Sequence, residues 1–439
     1  MKNTLIYGMH WKSQTEAMRK LENEGLIQIK VWIGKNREND ILIGKLRRVQ
    51  LSNQEYSGEN KLLFDEVYQT TFAPFLDMLY RNPSYYLITH QEARNIYCYL
   101  FDYFSSLLKK KRIELLIFHM FPHFGSDYLL MNIAKAMNIK MLLLYQSLIP
   151  NRFFYLQDLE DFGMFHTSKV AFPHSYEKIT FGSKKVQFYM KSIPLKYKSC
   201  HYTTLIRLRR YLFRSMGRMT FLGVVKSYID CLAFKYRYHK KIESHFDKNK
   251  KFVYFPLQMQ PEMTTATLGG VYSDQLLAIE HLSTLLPDDW VIYVKENPKQ
   301  LEGHRDTFFF KRLNALKKVI YLSKEVNSFE LIDASMFVAN VSGTVGWEAL
   351  LAKKVCLVFG MTWYQDFPGV IRYHHHLTLA EILNQSFSEK MLEDAYNKLI
   401  AKTANGIIDR GYIANFSDYS DEMNSHYLYE SFRKILATL

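Results

Sequence analysis

Apolar runs of strand length alternate with stretches of helical pattern along the first third of the chain. A run at residues 4–7 is followed by a helical pattern to about residue 24 and by a second apolar run at 26–33. The same alternation returns between residues 114 and 145. Strands that alternate with helices predict a parallel sheet with helices on its faces. We therefore place a first α/β domain at residues 1–170.

The alternation resumes in the second half of the chain. Five strands are predicted at residues 252–256, 290–294, 319–322, 336–342 and 355–359, with helical patterns between them. This pattern is typical of a second doubly wound domain, which we place at residues 252–377, with C-terminal helices at 378–439. The predicted fold class is α/β, with two Rossmann-like domains. Because ligands of such sheets bind outside the carboxyl ends of the strands, we expect a cleft between the domains.

Residues 171–251 form a predicted basic helical insert between the two domains. Residues 204–251 contain thirteen Lys or Arg and three acidic residues, interleaved with aromatic and apolar side chains. A helix of this kind suits the surface of an anionic membrane. A solvated helical hairpin explains the same pattern, and both interpretations stay open. The residues that we assign to the membrane surface are Arg207, Arg209, Arg210, Arg214 and Arg218.

Composition limits the classes of protein that the chain can belong to. Its 439 residues carry a formal net charge of +14, which indicates an anionic partner, and 48% are hydrophobic, which excludes a disordered chain. Four widely spaced cysteines favour a reducing cytoplasm. No apolar stretch approaches the roughly 20 residues of a spanning helix, so we expect peripheral contact with the inner face of the cytoplasmic membrane. No nucleic-acid-binding motif accompanies the charge, so we expect no nucleic-acid partner.

The segment Ser-Gly-Thr-Val-Gly-Trp-Glu at 342–348 follows a predicted strand and opens a predicted helix. Backbone N–H groups, hydroxyls and the helix dipole bind anions at such a terminus. We interpret Ser342 as the N-cap of the helix and Gly343 as the residue that lets a phosphate approach the backbone. Capping without a ligand is the alternative interpretation.

Two further polar segments follow predicted strands. Gln260 and Glu262 come after the strand at 252–256, and Lys295 and Asn297 come after the next one. A strand-end carboxylate beside amides is typical of a binding site, and Lys295 has the charge to hold a phosphate. The alternatives are a helix-capping role for Glu262 and an ordinary strand boundary at Lys295.

In the first domain, His119, His123 and Asp127 lie in a polar loop between a strand and a helix. Asp127 is a candidate base, and the alternative is an acidic residue in the first turn of a helix. Neither these histidines nor the run at 374–376 has the spacing of a metal site, so we expect no metal and no cofactor.

Taken together, these segments resemble the bacterial capsular polysaccharide synthesis family, whose better understood members transfer Kdo and related sugars from CMP donors. The resemblance is strong over residues 252–370 and weaker over 119–163. The segments that carry it are Pro256 to Gln258, Gln260 to Thr265, Gly269 to Gln275, Lys295 to Pro298, Ser342 to Leu350, and Phe359-Gly360 with Trp363-Tyr364. The resemblance implies a GT-B fold and a CMP-activated 3-deoxy-2-ulosonic acid as donor, with Kdo, sialic, pseudaminic and legionaminic acids all open.

The resemblance also implies roles for the strand-end residues. Glu262 belongs to the family's Gln-Pro-Glu segment at the reaction centre. Asn297 stands where the family has a histidine, and an amide donates a hydrogen bond to phosphate but delivers no proton as an imidazolium does. The donor-binding residues implied in this way are Gln260, Lys295, Asn297, Ser342, Gly343 and Thr344.

The function expected from these residues is a metal-independent transferase that moves an ulosonic acid to a hydroxyl of a polysaccharide or lipid-linked glycan. Asp127 is the predicted base, and Glu262 is the predicted carboxylate at the anomeric centre. Inversion and retention of configuration are both open. A monophosphate leaving group develops less charge than a diphosphate, so helix N–H groups and Lys295 are expected to stabilise it without Mg²⁺.

Two other functions stay open from the sequence. One is a GT-B enzyme that uses a UDP-sugar, as a transferase or an epimerase. The other is a capsule assembly or export factor that binds a lipid-linked glycan and has lost catalysis, and Asn297 supports this idea.

Overall fold

The computed structural model describes residues 1–49, 51, 61–81, 85, 88–182, 242–260, 262–300, 305, 307–416 and 418–439, together with single positions between 205 and 236. The chain forms two compact units. The first comprises residues 1–176 and 397–439, and the second comprises residues 177–396. The C-terminal stretch predicted at 378–439 is therefore divided between the two units.

A seven-stranded sheet forms the centre of the first unit. Its strands are β1 (Lys2–Tyr7), β2 (Ile27–Gly34), β3 (Ile41–Leu42), β4 (Leu115–Phe118), β5 (Lys140–Gln146), β6 (Arg152–Leu156) and β14 (Ala404–Asn405), numbered along the whole chain. They are ordered 14-6-5-4-1-2-3. β1 pairs in parallel with both β2 and β4, whereas β6 pairs antiparallel with β5 and β14. The chain leaves β1 on one side and returns on the other at β4, so the topological switch point lies between β1 and β4.

Helices cover this sheet. They are α1 (Lys12–Asn23), α2 (Ile43–Leu46), α3 (Lys61–Tyr80), α4 (His90–Lys110), α5 (Gly125–Ala136) and α13 (Asp421–Leu436). α1 buries Ala17, Met18 and Leu21 at a helical spacing, and Leu428 and Phe432 of α13 belong to the same core. The C-terminal helix is thus part of the core of the first unit.

The second unit contains a seven-stranded sheet in which all neighbouring strands are parallel. Its strands are β7 (Ile242–Glu243), β8 (Phe252–Pro256), β9 (Val291–Lys295), β10 (Val319–Leu322), β11 (Phe337–Asn340), β12 (Cys356–Val358) and β13 (Val370–Arg372). They are ordered 13-12-11-8-9-10-7. The chain runs from β8 through β9 to β10 and then returns to the other side of β8 at β11. The switch point of this sheet therefore lies between β8 and β11.

The sequence of the central strand β8 is continuously apolar because both faces of the strand are buried. Val253 and Phe255 enter one hydrophobic core and Phe252 and Tyr254 enter another, because successive side chains of a strand point to opposite faces. Both faces are covered by helices. They are α7 (Gln275–Leu285), α8 (Thr307–Ala315), α9 (Ser328–Ala334), α10 (Val345–Leu351) and α11 (Leu379–Leu383). The second unit also contains the short helix α6 (Met263–Ala266), and α12 (Glu389–Ala401) contains the boundary between the two units.

The predicted fold class is confirmed: the chain is α/β and contains two doubly wound sheets. The five strands predicted in the second half are present within a few residues of their predicted bounds. The antiparallel pairs of β6 were not predicted, nor were the long helices α3 and α4.

Candidate functional site

The predicted donor-binding residues lie at the carboxyl ends of three neighbouring strands. Gln260 and Glu262 follow β8, Lys295 ends β9 and Asn297 follows it, and the turn at 342–344 follows β11. β8 pairs directly with both β9 and β11. The three segments therefore meet at one edge of the sheet, at the switch point where open α/β sheets bind ligands.

Reciprocal glutamine bonds hold the loop that leaves β8. The Gln258 N–H donates to Gln275 Oε1 at 2.6 Å, and Gln275 Nε2 donates back to the Gln258 carbonyl at 3.0 Å. The Gln260 N–H donates to Gln300 Oε1 at 2.8 Å, and Gln300 Nε2 donates to the Gln260 carbonyl, also at 2.8 Å. These bonds satisfy backbone groups that no sheet or helix satisfies. The loop is therefore held at four main-chain atoms.

A buried ion pair supports the same loop. The side chains of Arg305 and Glu296 are 2% and 0% exposed, and Arg305 Nε donates to Glu296 Oε2 at 3.0 Å. Arg305 Nη2 also donates to the Gln258 carbonyl at 3.0 Å, and Nη1 donates to Gln260 Oε1. Tyr321 donates its hydroxyl to Glu296 at 3.0 Å. Removing this ion pair from water costs free energy, and the additional hydrogen bonds of Arg305 and Glu296 offset that cost.

Lys295 is buried at the end of β9. Its Nζ donates to the carbonyl of Val326 at 2.5 Å and to Ser328 Oγ at 2.8 Å. Burial lowers the pKa of Lys295 to about 8, against the opposing effect of Glu325 and Glu348. An ammonium has three N–H donors, so these two bonds account for two of them.

Asn297 forms a turn immediately after β9. Its Oδ1 accepts the N–H of Lys299 at 2.9 Å, and its own N–H donates to Glu296 Oε1 at 2.9 Å. A side-chain oxygen that accepts a bond two residues onward makes an Asx turn. The oxygen of Asn297 is thus used locally, and its amide nitrogen is the part of the side chain that has donors for a phosphate.

The prediction that Ser342 caps the helix is wrong. Helix α10 begins at Val345, and Thr344 is its N-cap residue. The Ser342 hydroxyl donates instead to the carbonyl of Thr264, and the Gly343 N–H donates to Asn340 Oδ1 at 2.9 Å. Because the Asn340 side chain holds the backbone in a turn, the helix starts later than the sequence pattern indicates.

Two glycines of this segment lie where a side chain does not fit. A Cβ atom at Gly343 would lie 2.8 Å from Gln258 Nε2, and one at Gly346 would lie 2.3 Å from the hydroxyl of Tyr364. Both distances are shorter than a van der Waals contact. The helix therefore requires glycine at position 346 for packing, whereas at position 343 the close atom is the end of the Gln258 side chain, which has to shift to make room.

Glu262 stands just before the short helix α6 and is half-buried. Its Oε2 accepts a hydrogen bond from the Thr264 hydroxyl at 2.6 Å, and its N–H donates to Thr265 Oγ1 at 3.3 Å. The carbonyl of Thr264 also accepts a hydrogen bond from the Ser342 hydroxyl. Thr264 therefore connects Glu262 with the turn at 342–344.

Asp127 belongs to the first unit, where it is the third residue of α5 and is buried. Its Oδ1 accepts the N–H of Phe124 at 2.7 Å and that of Tyr128 at 3.2 Å, and its Oδ2 accepts the N–H of His123 at 3.1 Å. Burial raises the pKa of Asp127, and Arg47 and the N–H donors oppose this rise. The structure thus places Asp127 as an acid of the first helical turn at the carboxyl end of β4.

Glu348 was not among the candidates from the sequence. It lies in the first turn of α10, and burial raises its pKa to about 7, with Lys295 opposing the rise. The available signal was an acidic residue in an otherwise apolar helix directly after the turn at 342–344. An acid and a base with pKa values moved toward neutrality thus share this edge of the sheet.

The five arginines assigned to a membrane surface lie outside the described residues. In the part of the chain that the structure describes, no helix is long and apolar enough to cross a bilayer. The same residues contain no group of three or more His, Cys, Asp or Glu arranged to hold a metal ion.

Comparison with known proteins identifies one matching family. The sequence model of the family described as "Capsule polysaccharide biosynthesis protein" matches residues 192–431, which is more than half of the chain. No curated protein matches the chain in sequence.

Similar solved structures include a Thermosulfurimonas dismutans KpsC, a beta Kdo 2,7 transferase, with 13% identity and a TM-score of 0.33, covering 78% of this chain and 90% of that one. A UDP-GlcNAc 2-epimerase from Methanocaldococcus jannaschii has 12% identity and a TM-score of 0.24, covering 96% of this chain and 100% of that one. The family match is therefore the finding that bears on identity.

Proposed function

The chain belongs to the capsule polysaccharide biosynthesis protein family, and we propose that it is a glycosyltransferase that moves a 3-deoxy-2-ulosonic acid from a CMP-sugar to a glycan hydroxyl. The observation that carries the proposal is that Gln260, Lys295 and Ser342 lie together at the carboxyl ends of the neighbouring strands β8, β9 and β11. Polar groups and a buried cation at a switch point suit a ligand with a phosphate.

In the proposed donor site, Lys295 supplies the positive charge. Because its ammonium is buried, its attraction for a phosphate is less weakened by water than that of a surface lysine. The amide nitrogen of Asn297 and the hydroxyls of the turn supply hydrogen-bond donors without charge. The residues that we assign to donor binding are Gln260, Lys295, Asn297, Ser342, Gly343 and Thr344.

We propose that the reaction needs no divalent ion. The CMP leaving group is a monophosphate and carries less negative charge than a diphosphate. A single buried ammonium, together with neutral hydrogen-bond donors, therefore balances a larger share of that charge. Turnover that persists in excess chelator supports this part of the proposal, and loss of turnover that Mg²⁺ restores contradicts it.

We propose Asp127 as the base. The acceptor hydroxyl forms a bond to the anomeric carbon, its proton passes to Asp127, and the bond between that carbon and the phosphate oxygen breaks to release CMP. A carboxylate has about four lone-pair positions, and three backbone N–H groups use three of them at Asp127. Burial raises the pKa of this carboxyl, which makes the carboxylate a better proton acceptor.

Glu262 is the proposed carboxylate at the anomeric centre. If configuration inverts, it stabilises positive charge on the sugar, and if configuration is retained, it attacks the anomeric carbon. Glu262→Gln is expected to lower transfer strongly, because an amide does neither. Full transfer by this variant contradicts the assignment.

Contact with an anionic membrane surface is a separate proposal, supported by the charge of residues 204–251. Each of the five assigned arginines is expected to contribute about 1 kcal/mol of binding. Replacing all five by glutamine should reduce sedimentation with anionic liposomes at physiological salt. Unchanged sedimentation contradicts the proposal.

Nucleotide binding tests the donor class. CMP, UDP and GDP are added to the full chain, and thermal unfolding is followed. Saturation with CMP at 100 times its dissociation constant stabilises the folded state by about 2.7 kcal/mol. We expect CMP to raise the midpoint and the variant Lys295→Met to lose the effect. Stabilisation by UDP alone contradicts the CMP assignment and favours a UDP-sugar enzyme.

Transfer tests the reaction itself. A panel of CMP-ulosonic acids is incubated with a capsule oligosaccharide, and the products are separated by mass. We expect at least one donor to extend the acceptor. Binding of CMP without any transfer contradicts the enzyme proposal and favours an assembly factor.

A further inference from the structure

A buried cation without an ion-pair partner lies at the carboxyl edge of the second sheet. Lys295 ends β9 and is 6% exposed, and among the described residues its ammonium forms no ion pair with a carboxylate. Arg305, which is buried at the same edge, is paired with Glu296. Buried charges are ordinarily paired, because an unpaired charge is costly to take out of water. The Lys295 ammonium therefore keeps a positive charge that an anionic ligand can balance.

Neutral oxygens hold this ammonium in place. Lys295 Nζ donates to the Val326 carbonyl at 2.5 Å and to Ser328 Oγ at 2.8 Å. The hydroxyl of Tyr254, a buried residue of β8, donates to the same Ser328 Oγ at 3.2 Å. A hydroxyl has two acceptor positions and one O–H donor. Both acceptor positions of Ser328 are thus filled, and within the described part of the chain its O–H has no acceptor.

Helix capping does not account for the Ser328 hydroxyl. Ser328 is the first residue of α9, and the N-cap residue of that helix is Asn327. The Asn327 side chain accepts the N–H of Phe329 at 2.9 Å, which is the bond that a capping residue makes. The Ser328 hydroxyl instead contacts Lys295 and Tyr254. It therefore serves the ammonium rather than the end of the helix.

Lys295 and Ser328 each keep one hydrogen-bond donor for a ligand. Lys295 has a third N–H beyond the two that are bonded, and Ser328 has its O–H. Because Nζ and Oγ are 2.8 Å apart, a single ligand oxygen can lie within hydrogen-bond distance of both. The pair offers two donors and one positive charge. This combination fits an anionic oxygen of a phosphate.

We propose that Ser328 is a further donor-binding residue, whose hydroxyl donates to the same phosphate oxygen that Lys295 holds, and that Tyr254 positions this hydroxyl. The inference rests on the proposed function, since the identification of the phosphate as that of CMP comes from there. A contact between Ser328 and a phosphate applies equally to another nucleotide, so the two proposals can fail separately.

Calorimetric titration of CMP into the full chain tests the contact. Ser328→Ala removes the hydroxyl, and we expect the dissociation constant of CMP to rise about tenfold. Ser328→Thr keeps a hydroxyl and should bind CMP nearly as well as the wild type. Ser386→Ala, at an exposed position of the same unit, is the matched control and should bind like the wild type. Unchanged affinity in Ser328→Ala overturns the proposal, and so does an equal loss in Ser328→Thr.

The pH profile separates a contact with the ammonium from a general effect on the fold. Burial lowers the pKa of Lys295 to about 8, and a hydrogen bond from the ammonium to an oxygen favours its charged form. Loss of the Ser328 oxygen should lower this pKa further, so the pH at which CMP affinity falls should move downward. Glu325 and Glu348, which oppose the effect of burial, and the Tyr254 phenol are the same in both proteins. The second pKa of a phosphate monoester is about 6, so measurement above pH 7 keeps the phosphate ionised. An unchanged midpoint in Ser328→Ala overturns the proposal.

A double-mutant cycle tests the positioning role of Tyr254. Tyr254→Phe removes the bond to Ser328 and should weaken CMP binding about threefold, whereas in the Ser328→Ala background the same change should have no further effect. Additive losses mean that Tyr254 acts independently of the hydroxyl, and they overturn its positioning role. Thermal unfolding of each variant without ligand verifies that folded protein is titrated.

Titration of UDP beside CMP distinguishes failure of this inference from failure of the proposed function. If CMP binds the wild type and Ser328→Ala equally, the Ser328 contact is wrong and the CMP donor class stands. If only UDP binds and Ser328→Ala weakens it about tenfold, the contact stands and the CMP assignment is wrong. If neither nucleotide binds the wild type, both proposals fail.

Discussion

The two sheets have the same plan at their switch points but differ in how the polar groups there are satisfied. In the second unit, Gln258 is bonded to Gln275 and to the neighbouring turn, and Arg305 is paired with Glu296. In the first unit, both ring nitrogens of the buried His10 lack a hydrogen-bond partner among the described residues. The same topology therefore supports two different edges. We call the hydrogen-bonded carboxyl edge of the second sheet the braced edge and the carboxyl edge of the first sheet the unbraced edge.

The difference indicates two ways of preparing a site. A fully bonded network holds its loop in one arrangement, which suits the exact placement of a charged phosphate. Unpartnered buried atoms lower stability but keep their hydrogen-bonding capacity for a ligand. Variants in each unit test whether the braced edge depends on its network and whether the unbraced edge carries out the chemistry.

The largest effect is expected at the unbraced edge. Asp127→Asn keeps an oxygen for the backbone N–H groups, but an amide cannot take a proton from the acceptor hydroxyl as the proposed base would. We expect transfer to fall by about 10²- to 10⁴-fold, with the CMP-induced rise in unfolding midpoint unchanged. Asp289→Asn, at an exposed position, is the control and should keep full activity. Full transfer activity of Asp127→Asn would show that Asp127 is not the base.

The brace of the second unit is broken by Arg305→Met. This change leaves the Glu296 carboxylate buried without its cation, so we expect the free energy of unfolding to fall by about 3–5 kcal/mol and CMP binding to be lost. Chemical denaturation measures the stability. The double variant with Glu296→Leu should recover much of the loss, because no buried charge remains. An unchanged stability of Arg305→Met would contradict the brace.

A smaller effect is expected from crowding the helix next to the braced edge. In Gly346→Ala, the new Cβ meets the Tyr364 hydroxyl, so we expect a loss of about 1–3 kcal/mol in the free energy of unfolding. Gly44→Ala is the matched control, since a Cβ there has no atom within 4 Å among the residues compared. Equal midpoints for the two variants in thermal unfolding would show that the helix moves to accommodate the methyl group.

The smallest effect is a pH dependence of CMP binding. The pKa of Lys295 is lowered to about 8, so the ammonium loses its proton as the pH rises through 8, and its attraction for phosphate is lost. Above that pH, we expect the dissociation constant of CMP to rise by up to about tenfold per pH unit. Calorimetry at pH 7 to 9 measures this change. In Lys295→Met, binding should be weak and flat with pH. Constant affinity of the wild type up to pH 9 would exclude Lys295 as a phosphate ligand.

Much of the second unit was predictable because its strands are buried on both faces. Val253 and Phe255 pack on one side and Phe252 and Tyr254 on the other, so the strand is a continuous apolar run. The polar residues directly after such runs mark the strand ends, so the sequence pattern predicts Gln260 and Lys295 as site residues. The start of α10 was predicted too early, because the bond between Asn340 and Gly343 is a local side-chain contact that periodicity does not reveal.

The brace itself could not be predicted. Arg305 and Glu296 are residue types that usually lie on the surface, and nothing in their spacing indicates that both are buried. The partners of Gln258 lie 17 and 84 residues away along the chain. Only the parallel order of the strands brings them together.

By itself, the sequence determined the alternation of strands and helices and the polar residues at the strand ends, because apolar periodicity depends on neighbouring positions. The tertiary structure alone decided which of these polar groups are bonded and which are left without a partner. That outcome depends on residues distant in sequence, on strand order and on burial, which also moves the pKa values of Lys295, Glu348 and His10.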